Sequence, residues 1–237
     1  MKNKAISDAK RVIQIERKAL SLLEKRLNGS FSEAVDIIYK CKGRVIVTGL
    51  GKSGIIAQKI VATLNSTGTP SIFLHSADSV HGDLGIIRRG DVVICISKSG
   101  DTYELIQLLL AINQFDVKVI SIVGDVDSKL KDLSDVIIDA SVDQEACPYN
   151  LAPTTSTTAA LVMGDALAIA LLRKKEFTKE EFAMLHPGGI LGRKLLLRVS
   201  DLMISDQQIP KVKENALFKD VVFEISSKRL GCTCVVD

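Results

Sequence analysis

The sequence predicts an α/β fold: a doubly wound five-stranded parallel sheet flanked by helices. Two observations predict it. Five short runs rich in Val and Ile are apolar throughout instead of alternating with polar residues, as strands covered on both faces are. Segments with the length and composition of helices separate these runs, the order of a sheet built from crossover units. The 237 residues leave room for one large domain and a small appendage. A chain of that length buries a sizeable core without disulfide or metal staples.

Residues 5–27 read as a helix. Ile6, Ile13, Leu20 and Leu27 recur every seven residues, with Ala9 and Leu23 on the same face. Asn28-Gly29 is expected to close it as a C-terminal cap. That apolar face is expected to dock on its own domain, with a sister subunit as the alternative partner. A shorter helix follows at about 31–41. The strands are then Val45-Ile46-Val47, Ser71-Ile72-Phe73-Leu74, Val92-Val93-Ile94-Cys95-Ile96, residues 117–123, and Val136-Ile137-Ile138. Helices are expected at 53–65, 102–113 and 156–173, the last apolar nearly all round and therefore buried. This spacing suggests a flavodoxin-like strand order, with ligands at the carboxyl edge of the sheet. His186-Pro187-Gly188-Gly189 breaks the chain before another helical stretch to about Arg198. Beyond Ser200 come Pro210, a helix near 216–229 and a strand at 232–236.

Composition excludes several classes. Hydrophobic residues make up 46% and charged residues 25%, the balance of a soluble globular protein. A formal charge of +3, with no basic stretch interleaved with aromatics, gives no reason to expect a nucleic-acid partner. No apolar run is read as spanning a membrane, and no secretory leader is read at the N-terminus. The five cysteines are odd in number and form no paired zinc motif, so a reducing cytoplasm is expected. Cys95, inside an apolar run, should pack as a small hydrophobe.

Two turns carry the chemistry. Thr48-Gly49-Leu50-Gly51-Lys52-Ser53-Gly54 and Ser97-Lys98-Ser99-Gly100-Asp101-Thr102 each follow a strand and open a helix. Backbone N–H groups at a helix start favour an anion, and small hydroxyl side chains add donors without bulk. One such serine is commonly just a cap; two turns on neighbouring strands form a phosphate cradle. Gly49, Gly51 and Gly54 also fit the dinucleotide fingerprint, but His75-Ser76 stands where its acidic residue should be. Ile46 occupies the leading glycine position of a Walker A loop, so that reading fails too. Three histidines occur, and His81 and His186 each sit beside a glycine-bearing turn. Glu104 lies one turn into the helix behind the second cradle, and Glu145 lies in the loop after the fifth strand.

These turns resemble those of SIS (sugar isomerase) domain proteins. Longer stretches, His81-Gly82-Asp83-Leu84-Gly85, Glu145-Ala146-Cys147-Pro148, residues 151–157 and His186-Pro187-Gly188-Gly189, are similar to the arabinose-5-phosphate isomerase family. The resemblance runs from about residue 10 to 203; Asp101 departs from it, since relatives often carry glutamate there. It implies reversible aldose–ketose isomerisation of D-arabinose 5-phosphate and D-ribulose 5-phosphate, supplying the precursor of Kdo for lipopolysaccharide or capsule. Catalytic roles are expected at Lys52, Glu104, Glu145, His186 and His81. Phosphate binding is expected at Gly51, Ser53, Ser97, Ser99 and Thr102. Either glutamate could be the base, its pKa raised by shielding from water; His186 is the candidate for ring opening. No metal or other cofactor is required by this chemistry.

The resemblance also implies a homo-oligomer, dimer or tetramer, with active sites shared between subunits. Residues 1–198 would form the SIS domain with its N-terminal helices. Residues 199–237 resemble the opening half of a CBS domain, and the chain is expected to stop within that module, whose regulator would be a nucleotide or nucleotide sugar. A non-catalytic sugar-phosphate sensor and a nicotinamide-dependent dehydrogenase are the rival readings.

Overall fold

The structure, a computed structural model, describes residues 2–79 and 81–237. It divides into two compact units, Met1–Leu185 and His186–Asp237.

In the first unit, α1 (Lys2–Arg26) and α2 (Gly29–Lys40) precede an alternating series. This runs β1 (Val45–Gly49), α3 (Gly51–Ser66), β2 (Ser71–His75), α4 (Ser76–Ser79), β3 (Val92–Ser97) and α5 (Tyr103–Ile112). It continues with β4 (Lys118–Val123), β5 (Val136–Asp139), α6 (Thr155–Lys174) and α7 (Lys179–Leu185). All strand pairings are parallel, in the order β2-β1-β3-β4-β5. That is the doubly wound arrangement expected from the spacing.

The apolar strands serve two cores at once. Val45, Val47, Ile94, Ile96, Ile120 and Ile122 face a cluster with α1, α2, α3 and α6. The alternate residues Ile46, Val93, Cys95, Val119 and Val123 face a second cluster with Leu105, Leu108, Leu109 and Ile112 of α5. Side chains of successive strand residues point to opposite faces, so a strand feeding two cores is apolar along most of its length, with small hydroxyl residues such as Thr48 and Ser121 as the exceptions. Each wholly buried Leu or Ile contributes about 1.5–3 kcal/mol. Cys95 packs as expected, its thiol pushed up to about 12 by burial.

Several details differ from the sequence reading. Asn28 does not close α1; its side chain accepts a hydrogen bond from the Ser30 N–H at 2.9 Å and caps the start of α2. A short polar side chain serves the orphan donors of a helix start, and here the next helix begins at once. On α1 only the C-terminal half docks. Ala19 and Leu23 are buried, whereas Ile6, Ile13 and Leu27 remain exposed.

On α6, Met163, Leu167 and Leu171 are buried, but Val162 and Ile169 reach solvent. By length and hydropathy α6 could cross a membrane, a property the sequence reading did not credit; here it is a core helix, half buried against its neighbours. Its close approach to α3 requires Gly164, where an added Cβ would fall 2.2 Å from Cδ1 of Ile60. Unforeseen α7 opens on a capping box. The Thr178 hydroxyl accepts from the Glu181 N–H at 3.1 Å, and the Glu181 carboxylate accepts from the Thr178 N–H at 2.7 Å.

The amino edge of the sheet is fastened by Asp91, a buried carboxylate just before β3. Its Oδ1 accepts from the Arg44 N–H at 2.7 Å and its Oδ2 from the Arg88 N–H at 2.9 Å.

The second unit contains α8 (Ile190–Leu196), α9 (Val199–Leu202), β6 (Lys211–Lys213), α10 (Phe218–Lys228) and β7 (Cys234–Val236). β6 and β7 pair in parallel through the α10 crossover.

Candidate active site

β1 and β3 are neighbours, with Gly49 opposite Ile96, so the turns that follow them emerge side by side at the carboxyl edge. There they border a cavity of about 230 Å³. The first turn supplies Leu50, Lys52 and Ser53, the second Ser97 and Lys98, and α6 supplies Ser156, Thr157 and Ala160. Ile96, Ile122, Val123 and Val142 make the floor apolar.

The second turn is held by its own hydroxyls. Ser97 is buried; its Oγ accepts from the Gly100 N–H at 3.0 Å and lies 3.2 Å from the Thr102 hydroxyl. The Ser99 Oγ accepts from the Asp101 N–H at 3.3 Å, and the Asp101 carboxylate accepts from the Lys129 N–H at 3.1 Å. These bonds fix a turn whose last residue, Thr102, stands at the N-cap of α5. The partial positive charge of that helix start therefore has a defined direction.

Of the residues expected to act, Lys52, Ser53 and Ser97 line the cavity; the others do not. Gly51, Ser99 and Thr102 belong to the two turns beside it. Glu104 is half-buried in the first turn of α5, and His81 is exposed just past α4. His186 opens the second unit, in the turn where the Gly189 N–H donates to its carbonyl at 3.0 Å.

Glu145 departs from the expectation of a raised pKa. Its side chain is wholly buried. Burial alone would raise its pKa, but the Lys98 ammonium, the Ser156 hydroxyl and the backbone N–H groups of Thr154 and Ser156 outweigh that and hold it at about 2. Oε1 lies 2.7 Å from the Lys98 ammonium and accepts from the Ser156 hydroxyl at 2.5 Å. Oε2 accepts from the Thr154 N–H at 2.8 Å, from the Thr154 hydroxyl at 3.2 Å and from the Ser156 N–H at 3.2 Å. A carboxylate so fully engaged at the start of α6 is a poor proton carrier near neutral pH.

Sequence reasoning missed Lys98, Ser156 and Thr157. The cluster of hydroxyl residues at 154–158 was the available signal for the last two. Lys98 sat within the second turn, but its pairing with Glu145 had no signal, because that partner lies in a distant loop. Among the described residues, no group of three or more His, Cys, Asp and Glu side chains could hold a metal ion.

Residues 37–170 match the SIS domain, more than half of the chain. The chain belongs to the SIS domain family. This SIS domain protein is 48% identical over 228 residues to arabinose 5-phosphate isomerase KdsD of Yersinia pestis, covering 96% of this chain and 70% of that one. It is equally 48% identical over 232 residues to the KdsD of Pseudomonas aeruginosa, covering 98% and 71%. A solved structure from Escherichia coli CFT073, in complex with the ligand A5P, matches it with a TM-score of 0.77 at 38% identity. That match covers 79% of this SIS domain protein and 100% of the solved chain.

Proposed function

We propose that this SIS domain protein interconverts D-arabinose 5-phosphate and D-ribulose 5-phosphate through an enediol. The observation that carries the reading is the single cavity joining the Lys52 turn, the Ser97 turn and the hydroxyl-rich start of α6. Its extensive identity to arabinose 5-phosphate isomerases supports the choice of substrate.

The phosphate is held by the N–H groups and hydroxyls of the two turns, with Gly51, Ser53, Ser97, Ser99 and Thr102 as its partners. Once the sugar ring has opened, a base takes the proton from C2 while O1 gains one, giving the enediol. The same group then returns its proton to C1 as O2 loses its own. Glu104 is the better base, because Glu145 is held ionised by five contacts. The Lys52 ammonium makes no ion pair or hydrogen bond among the described residues, so it can follow the developing enediolate charge. His186 assists ring opening, and His81 is the second imidazole of the site. The chain is proposed to act as a dimer or tetramer with sites shared between subunits, in the cytoplasm, supplying Kdo synthesis. Residues 1–198 form its SIS domain. Residues 199–237 are a CBS-like region that takes a nucleotide or nucleotide sugar as regulator.

A coupled assay of purified protein with arabinose 5-phosphate, beside other phosphopentoses, tests the activity. Glu104→Gln is expected to lower kcat by about 10²–10⁴-fold with KM little changed. Wild-type kcat in that variant would remove Glu104 from the mechanism.

A further inference from the structure

Lys98 lines the cavity from within the second turn, and both ends of its side chain are fixed. At the backbone, the Gly124 N–H donates to the Ser97 carbonyl at 3.2 Å, and a Cβ on Gly124 would come within 2.5 Å of the Lys98 carbonyl oxygen. At the tip, the ammonium rests 2.7 Å from Oε1 of Glu145. The two partners differ in exposure: Lys98 is 47% exposed and Glu145 not at all. The pair therefore turns its positive end toward the cavity and hides its negative end. Glu145 is the ammonium's only partner among the described residues, while an ammonium has three N–H donors.

We propose that Lys98 is a further substrate-binding residue, a preorganised cation for the phosphate group, with Glu145 as its positioning residue. The inference rests on the sugar-phosphate reading of the site. A sugar hydroxyl is served as well by the neutral hydroxyls of Ser156 and Thr157. What a cation adds is a charge-assisted bond to a dianion, and Lys98 stands between two serines assigned to that same group. Ordinarily a lysine loses rotamer freedom when it grips a ligand. This one has lost it already on folding, so more of the contact appears as affinity.

The plainer alternative is that Lys98 only neutralises a buried carboxylate. The double variant Lys98→Met/Glu145→Gln separates the two, because it leaves no uncompensated buried charge. Calorimetric titration with inorganic phosphate and kinetics with arabinose 5-phosphate are run on the same samples. The expected result is a phosphate Kd and a KM raised about tenfold, equivalent to about 1.4 kcal/mol, with kcat within about threefold. Wild-type phosphate affinity in the folded double variant would overturn the proposal.

A second measurement uses the unmodified protein and decides the matter if the double variant does not fold. Inorganic phosphate should slow acetylation of Lys98, read by mass spectrometry, and equal rates with and without it would overturn the proposal. No turnover in the wild-type protein would sink the isomerase reading alone, since both phosphate measurements stand apart from turnover.

Discussion

Replacing Glu145 by Gln keeps the shape of the side chain and removes its charge, and the structure sets the expected cost. The folded carboxyl is held at about 2 against an ordinary value of 4.5. At about 1.36 kcal/mol per unit, its ionisation stabilises the fold by about 3 kcal/mol at pH 7. Removing one partner of a buried pair costs about 3–5 kcal/mol, and the lower figure fits here because Lys98 can recover water. A folded pKa below the unfolded one means stability that is complete above about pH 5 and lost as the pH falls toward 2. By pH 3 only about 1 kcal/mol of the contribution should remain.

Urea unfolding of both proteins at pH 7 and pH 3 measures this directly. Glu145→Gln should unfold about 3 kcal/mol more easily at pH 7, a fall in Tm of about 6–12 °C for a domain of this size. Its disadvantage should shrink by about 2 kcal/mol at pH 3. An equal gap between the two proteins at both pH values would refute the reasoning.

Two further outcomes are expected. Gly164→Val should destabilise by about 1–3 kcal/mol in thermal melts, because its side chain would drive Ile60 and α3 away from α6; an unchanged Tm would show that the helices can part without cost. If sites are shared between subunits, mixing inactive Lys52→Ala and His186→Ala proteins should restore activity in hybrids that keep one complete site. No recovery after demonstrated subunit exchange, with His81→Ala behaving alike, would place the site within one chain.

The sheet was legible because a strand buried on both faces carries its signal locally: Val45-Ile46-Val47 of β1 and Val92-Val93-Ile94-Cys95-Ile96 of β3 are unbroken apolar runs. Their order followed from crossover spacing alone. The end of α1 was misread because Asn-Gly suits a helix end and Asn suits a helix start equally well, and only the Ser30 contact distinguishes them. The missed α7 did carry a local signal, the Thr178–Glu181 box, but its seven residues are too few for periodicity to speak. At the site, Lys52, Ser53 and Ser97 were readable from two turns with defined positions relative to strands. The pairing of Lys98 with Glu145 was not. Whether a carboxylate is a base or an anchor depends on donors delivered by the Thr154–Ser156 backbone, and no spacing rule encodes that convergence.

Asp91 has a consequence for how this fold can drift under mutation. Both bonds it accepts come from main-chain N–H groups, so the side chains at Arg44 and Arg88 are immaterial to the clasp. Any residue except proline could stand at either place and leave it closed. At this edge one side chain thus licenses variation at Arg44 and Arg88, though not at Gly43, where an added Cβ would fall 2.1 Å from Asp91 Oδ1. The opposite edge obeys the reverse rule at Lys98, Glu145 and Ser156, which meet through their side chains, so a change at one is felt by the others. The sheet separates the two regimes by its own length, and substitutions accepted at its amino edge need not reach the cavity.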